Sequence, residues 1–362
     1  LASSAASDVY KRQLLTALNS LSNPEDIKIG FESTAHYALN LELFLENAHH
    51  SFMEVNPVLI KEYKKSTTLR RTKTDSVDCE SIARWLITVE YKPHSKGFYH
   101  AYSLKSLTRL RDRLIRQRSF YLVKITNVLD HTFPEFKPFF NERLSKTALY
   151  LLENYGSAEK MARMNSASYD KLRCISRGKF SIQQFLRLKE LAANTVGVNN
   201  SIFDLELNTL LTLYKSLSDE INTLETEIIK LIEEVHPHYM SIPGIGPISS
   251  AVIYAEYGDI SNFSNPGQML AFAGIEPGIN DSGTESHGGR MVKHGSSQLR
   301  YVLLNACLPL IRFDLTFATY YEKKRAEGKK HRVAITHVAK KLIRVIYALE
   351  RQDVDFNAQK LR

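Results

Sequence analysis

Cysteine is scarce in this chain: Cys79, Cys174 and Cys307 are the only three in 362 residues, far apart and without a CxxC pair. That excludes a disulfide scaffold and a cysteine-rich zinc centre, and it fits a reducing cytoplasm. No apolar run reaches the ~18 residues that a bilayer-spanning helix needs, so no membrane association is expected. The chain also lacks a GxxxxGK[ST] loop, a GxGxxG turn and a GxSxG elbow. A P-loop nucleotidase, a dinucleotide-binding enzyme and an α/β-hydrolase therefore have no support. Disorder over the bulk of the chain is excluded by 43% hydrophobic and 10% aromatic residues.

What is present is enough apolar sequence for two or more domains with cores of their own. There is also a net charge of +9. An excess of that sign points to a polyanionic partner, although a basic protein without one has the same composition.

The N-terminal part alternates between helix and strand. Leu14, Leu15, Leu18 and Leu21 predict a helix over 11–22, ended by Asn23-Pro24. Ile27 to Phe31 alternates like a strand and stops at Glu32-Ser33-Thr34. A helix with Leu41, Phe44 and Leu45 inward follows, then a short strand from Phe52 to Val55 closed by Asn56-Pro57. This order is an α/β pattern. Residues 61–74 read as a basic, polar stretch. A helix restarts near Asp75 with Ile82, Trp85, Leu86 and Val89 as its apolar stripe.

The remainder reads as helical. From about residue 103 a helix carries Lys105, Arg109, Arg111, Arg113, Arg116 and Arg118, and residues 145–200 look like a small helical insertion. Phe203, Leu207, Leu210, Tyr214, Leu217, Ile221, Leu224, Ile228, Leu231 and Val235 then form a heptad seam. Such a seam is buried either in a partner chain or in an antiparallel helix of the same chain, and homo-oligomerisation through a coiled coil is the expectation. Glycines gather between residues 244 and 295, and the end is helical and basic from Lys323 to Arg344. The expected domains are an α/β domain over 1–140, the insertion over 141–202, the coiled coil over 203–235 and a helical C-terminal domain over 236–362.

Three constellations could carry chemistry. Glu32 stands at the C-terminal end of a predicted strand, where open α/β sheets place their sites. Asp75 and Asp78, three apart, share one face of the next helix start. Carboxylates turned toward a sheet need compensation, and a hard divalent cation, Mg2+ or Mn2+, would supply it. The plain alternative is a helix cap at Asp75 with a favourable charge at Asp78. Arg70, Arg71 and Lys73, just before, suit a phosphate. The second constellation, Ile242-Pro-Gly244-Ile-Gly246-Pro247 ahead of an apolar helix, reads as a helix-hairpin-helix whose glycines and N–H groups hold a nucleic-acid backbone. The third is the loop from Gly278 to Ser297, where Ser282, Ser286, Ser296 and Ser297 stand among Arg290, Lys293 and two histidines. On residues alone those serines are equal candidates for a nucleophile.

Four stretches together carry a resemblance: Ile29-Gly-Phe-Glu-Ser-Thr, Arg71-Thr-Lys-Thr-Asp-Ser-Val-Asp78, Ser241-Ile-Pro-Gly-Ile-Gly-Pro-Ile-Ser-Ser-Ala251, and Leu270-Ala-Phe-Ala-Gly-Ile-Glu-Pro277 running into Asp281-Ser-Gly283. The chain resembles, over roughly residues 12 to 350, the bacterial insertion-sequence transposases of the "one-ten" family, with a RuvC-like domain and a serine-bearing C-terminal domain. The resemblance implies an RNase H-like sheet with an Asp-Glu-Asp-Asp tetrad around Mg2+, in which Glu32, Asp75 and Asp78 match three members. It implies that Ser282 is the nucleophile, that an element-encoded guide RNA pairs with donor and target DNA, and that protomers assemble; Arg290 and Lys293 are then expected to steady the developing charge. The family's first Asp lies on a strand ahead of the helix at 11–22, and no such strand is seen here. A sheet without its first three strands, weak metal binding and no recombination by the chain as it stands are therefore expected. The alternatives are a RuvC-like nuclease that uses water and a non-catalytic nucleic-acid-binding protein.

Overall fold

The computed structural model describes residues 4–32, 38–67, 74–93, 98–141, 144–282 and 285–361. It falls into two compact units, Leu1–Tyr99 and His100–Arg362. Helices dominate both. Among the described residues no single helix is long and apolar enough to cross a membrane.

In the first unit α1 (Ser4–Leu21), β1 (Ile29–Glu32), α2 (Ala38–Asn47), β2 (Phe52–Val55), α3 (Pro57–Thr67) and α4 (Asp75–Thr88) follow one another. β1 and β2 pair in parallel, with Ile29 opposite Phe52 and Glu32 opposite Val55. The chain between parallel neighbours has to cross over, and α2 makes the crossing. Strand alternation then sorts the side chains. Ile29 and Phe31 turn to a small core of Leu18, Leu45 and Phe52, where the Phe31 and Phe52 rings stack at 5.7 Å. Gly30 and Glu32 face the other way, toward α4. Residues 61–67 of the basic, polar stretch belong to α3: Ile60 is buried and anchors the helix, Lys61 and Lys65 are exposed, and Lys64 is half-buried.

The second unit is built on two helices of 35 residues each, α5 (Phe98–Thr132) and, after five short helices, α11 (Ser201–Val235). The short ones are α6 (Phe136–Phe139), α7 (Lys146–Tyr155), α8 (Ala158–Ala162), α9 (Ser166–Ile175) and α10 (Ile182–Ala193), so the insertion is helical as expected. The α7 to α10 starts are each capped by a side chain, from Ser145, Ser157, Asn165 and Ser181. α5 and α11 run antiparallel. Leu104 clusters with Ile228 and Ile232, Arg111 pairs with Glu225, and Ile125 to Leu129 pack with Leu207 and Leu211. The heptad stripe expected to favour a partner chain is instead half-buried or buried against helices of the chain itself, α5 among them. Leu207, Ile221 and Ile228 of the stripe are enclosed, with Leu211 and Ile232 beside it, each contributing about 2 kcal/mol by leaving water.

The rest of the unit is a helical cluster: α12 (Pro247–Tyr257), α13 (Pro266–Ala273), the antiparallel pair β3 (Pro277–Ser282) and β4 (Glu285–Met291), α14 (Ser297–Phe313), α15 (Leu315–Ala326) and α16 (His331–Gln352). The stretch read from sequence as a loop is mostly this hairpin. Its core lies among α12, α13, α14 and α16, with Met269, Leu303, Leu310, Val338 and Leu342 fully enclosed.

Candidate functional site

The acidic residues of the first unit lie at one end of its sheet. Gly30 lets α4 come close: a β-carbon there would stand 2.6 Å from a Leu86 methyl. The Tyr91 hydroxyl, just past α4, lies 3.2 Å from Ile29 O and 2.9 Å from Ser51 O at the start of both strands. With Tyr91 at Ile29 and Leu86 over Gly30, α4 runs antiparallel to β1. Its acidic first turn therefore lies toward the strand's C-terminal end, on the face to which Glu32 turns. Thr74, not Asp75, is the helix cap, its hydroxyl accepting from Val77 N–H. Asp75 is exposed in the first turn, and Asp78, half-buried, is ion-paired to Lys64 of α3. Among the described residues no group of three or more His, Cys, Asp or Glu side chains is gathered closely enough to hold a metal ion. The donor chemistry nonetheless fits a hard divalent cation, since all three are carboxylates. The Lys64 ammonium on Asp78 marks where positive charge is accommodated. Arg70, Arg71 and Lys73 lie outside the described residues.

In the second unit the Pro-Gly-Ile-Gly segment is a tight turn from the 3-10 helix His238–Ser241 into α12. Gly244 has φ +96, and a β-carbon there would stand 2.6 Å from the Pro309 ring and 3.0 Å from Ala306 O. Ile245 N–H donates to Ile242 O at 3.0 Å, closing the turn. Gly246 caps α12 without a side chain, and a β-carbon there would meet nothing within 4 Å. The first-turn N–H groups of α12 thus open onto an unobstructed backbone, the arrangement that favours an anion.

The Ser282 segment is an arm with a fixed base. Gly274 (φ +65) ends α13, and a β-carbon at Gly295 would stand 2.0 Å from Phe272 O. Arg300 ties the crossing by donating to Ala273 O at 3.2 Å. From that base β3 and β4 extend to Ser282 opposite Glu285, the last described pair before residues 283 and 284, which lie outside the described residues. Met291 pairs with Pro277 at the base. Arg290 and Lys293 belong to that end, roughly 17 Å of strand rise from Ser282. Within one arm the backbone of residues 290 and 293 thus lies at the opposite end from residue 282, because the segment is extended rather than coiled. Of the three other candidate serines, Ser286 pairs opposite Asp281 in the hairpin, Ser296 caps α14, accepting from Leu299 N–H, and Ser297 opens the helix.

Two polar groupings escaped the sequence reading. Glu42 is 1% exposed on the α2 side of the sheet, and neither carboxyl oxygen has a well-formed hydrogen bond. Burial, and then the nearby Glu54 carboxyl, push its pKa up to about 8. The available signal was Glu42 at helical spacing with Ala38 and Leu45. In the second unit both His238 ring nitrogens lie 2.9 Å from carboxylates, Asp355 and Asp353, which raise its pKa. Those aspartates follow α16, 115 residues or more along the chain, and no local pattern announces them.

Comparison with known proteins bears on both units. A family profile described as transposase IS116/IS110/IS902 family matches residues 237–322, and a second, the transposase DEDD profile of the IS110 type, matches residues 5–134. The chain is 27% identical over 245 residues to an uncharacterized 43.6 kDa protein of insertion element IS110 from Streptomyces coelicolor, covering 65% of this chain and 60% of that one. It is 28% identical over 298 residues to an uncharacterized 42 kDa protein of insertion element IS900 from Mycobacterium paratuberculosis, covering 77% and 71%. A transposase for insertion sequence element IS1111A from Coxiella burnetii is 25% identical over 260 residues, covering 71% and 59%. The matched region thus spans about three fifths of the Streptomyces and Coxiella relatives' length.

Proposed function

The chain belongs to the IS116/IS110/IS902 family of transposases, and on that premise we propose that it mobilises an insertion sequence by cutting and rejoining DNA through a serine nucleophile. The observation that carries the reading is the common orientation of Glu32 and the acidic first turn of α4, at one end of one face of the parallel pair. That placement is the one expected of an RNase H-like sheet.

Glu32, Asp75 and Asp78 would hold a divalent cation, Mg2+ or Mn2+, and such an ion when bound supplies Lewis-acid stabilisation to a phosphate oxygen. Lys64 balances Asp78 in its absence and releases that carboxylate for ligation. Ser282, at the end of the β3–β4 arm, attacks the scissile phosphorus. Its Oγ–P bond forms as the bond to the leaving sugar oxygen breaks, and the serine proton passes to that oxygen. A DNA hydroxyl then attacks the phosphoserine, restoring the serine and joining the strands.

Gly244 and Gly246 serve as a helix-hairpin-helix backbone contact, as do Arg70, Arg71 and Lys73 in the first unit. Arg290 and Lys293, at the base of the arm, serve as phosphate contacts along the bound duplex. An element-encoded guide RNA would select the DNA, since these contacts carry no base readout. Assembly of copies would use outer apolar positions of the long helices, Phe120, Val123 and Leu213, which are exposed.

The test is a denaturing gel of the protein incubated with end-labelled element DNA, guide RNA and Mg2+. A covalent adduct is expected, and Ser282→Ala should abolish it while RNA binding persists. An adduct that survives the substitution removes Ser282 from the mechanism.

A further inference from the structure

The positive charge of this chain is concentrated. Residues 323–344 hold nine Lys or Arg against one Glu, a local +8 in a chain whose total is +9. Every other part of the sequence taken together is close to neutral.

The fold turns this segment into one face. α15 ends with Lys323, Lys324 and Arg325 in its last turn, Gly328 at φ +78 reverses the chain, and α16 begins at His331. α16 buries Ala334, Ile335, Val338, Ala339, Leu342 and Ile343, which fixes its outward side. Left outside are Arg332, Thr336, His337, Lys340, Lys341 and Arg344, and no acid stands among the unburied positions from 331 to 344. Glu322 borders the patch, and Glu327 is already held by Lys324 at 2.8 Å. Tyr320 lies between two ammonium groups, Lys324 at 5.5 Å and Lys341 at 5.3 Å from its ring centre.

A merely solvated helix face mixes charges of both signs. Here cations face cations. After burial, Lys324, Lys329 and Lys340 hold the His337 pKa down, and Arg344 does the same to Lys340, opposed by Glu276. A polyanion would relieve that repulsion. From Arg332 to Arg344 the stripe rises roughly 18 Å, about five phosphate steps along one strand of a duplex.

We infer that the α15–α16 face binds the phosphodiester backbone of a nucleic-acid duplex, as a contact surface separate from the Gly244–Gly246 turn and the Ser282 arm. The inference rests on the reading of the chain as a nucleic-acid recombinase, and it adds a positioning surface rather than a specificity determinant.

The test is binding of the full chain to a labelled DNA duplex, and to an RNA duplex of the same sequence, over a salt series. Each phosphate contact contributes about −0.9 to the slope of log K against log salt. Lys340→Gln with Arg344→Gln should flatten the slope by about 1.8, on DNA, on RNA or on both, with no change in sequence preference. Whichever duplex shows the change identifies the source of the phosphates. Lys330→Gln with Arg332→Gln, both exposed, provides a second pair should the first fold poorly. Lys215→Gln with Lys230→Gln, exposed on α11, should leave the slope as it is. An unchanged slope in both α16 pairs while the wild type binds overturns the surface and leaves the recombinase reading standing. No binding of either duplex by the wild type overturns both.

Discussion

Replacing Gly244 and Gly246 one at a time should separate a glycine needed by the fold from a glycine needed by a ligand. At Gly244 an alanine meets two costs. Its backbone, at φ +96, is in the region that L residues avoid at about 1–2 kcal/mol. Its methyl group would also enter the space of the Pro309 ring and the Ala306 carbonyl. Both belong to α14, whose Leu303, Cys307 and Leu310 are fully enclosed, so neither neighbour is free to withdraw. Overpacking of that kind adds about 1–3 kcal/mol. Together the expected loss is about 3 kcal/mol, or roughly 6–12 °C in thermal midpoint for a unit of this size. Gly246→Ala has φ −82 and open space around it, so only its poorer capping of α12 counts, about 1 kcal/mol or less, while duplex binding weakens because the added methyl stands between backbone and phosphate. The assay is urea unfolding followed by far-ultraviolet circular dichroism. The single tryptophan, Trp85, belongs to the first unit and would not report on this turn. A Gly244→Ala protein as stable as wild type, or a Gly246→Ala protein equally damaged, refutes the reasoning.

Two pH dependences follow from the buried and paired groups. His238 has its folded pKa raised above 6.5 by Asp355 and Asp353. Its hold on the segment after α16 should be complete below that value and fade as pH rises through the folded pKa. Limited proteolysis of that segment across pH should show protection at acid pH, and His238→Gln should remove the trend. Glu42, with a folded value of about 8 against 4.5, stabilises the first unit in its protonated form below its ordinary value, and that stability drains away as pH rises through about 8. Glu42→Gln should therefore raise the thermal midpoint read by Trp85 fluorescence at pH 8 more than at pH 5. Equal effects at the two values would contradict the burial argument.

Sequence periodicity located elements better than it located their partners. β1 and β2 were legible because Ile27 to Phe31 alternates and Asn56-Pro57 ends the second run. α11 was legible because its heptads never break. Its partner was not, because α5 carries Arg109, Arg111, Arg113 and Arg116 along the same stretch. Three of these are matched within the unit: Arg109 bonds the enclosed Glu256 at 3.0 Å, Arg111 bonds Glu225 at 2.7 Å, and Arg116 pairs with Asp112 at 2.7 Å. A cationic helix that buries itself by pairing its charges is hard to tell from a solvated one. The β3–β4 hairpin was hidden because Pro277 to Met291 has little β-branched sequence and many glycines. The acidic trio was legible as residue types and spacing. Lys64 on Asp78 was not, since the contact joins two helices and residues 61–74 read only as basic and polar.

The antiparallel helices have a consequence beyond the burial of their stripes. Leu104 sits in one hydrophobic cluster with Ile228, Ile232 and Ala251, and Val128 in another with Leu207 and the insertion helices. Along α5 the two are roughly 36 Å apart. A helix pair of that length works as a ruler, holding the insertion at a set spacing from the turn into α12 at the other end. A partner that touched both ends would have to be stiff enough to span that interval.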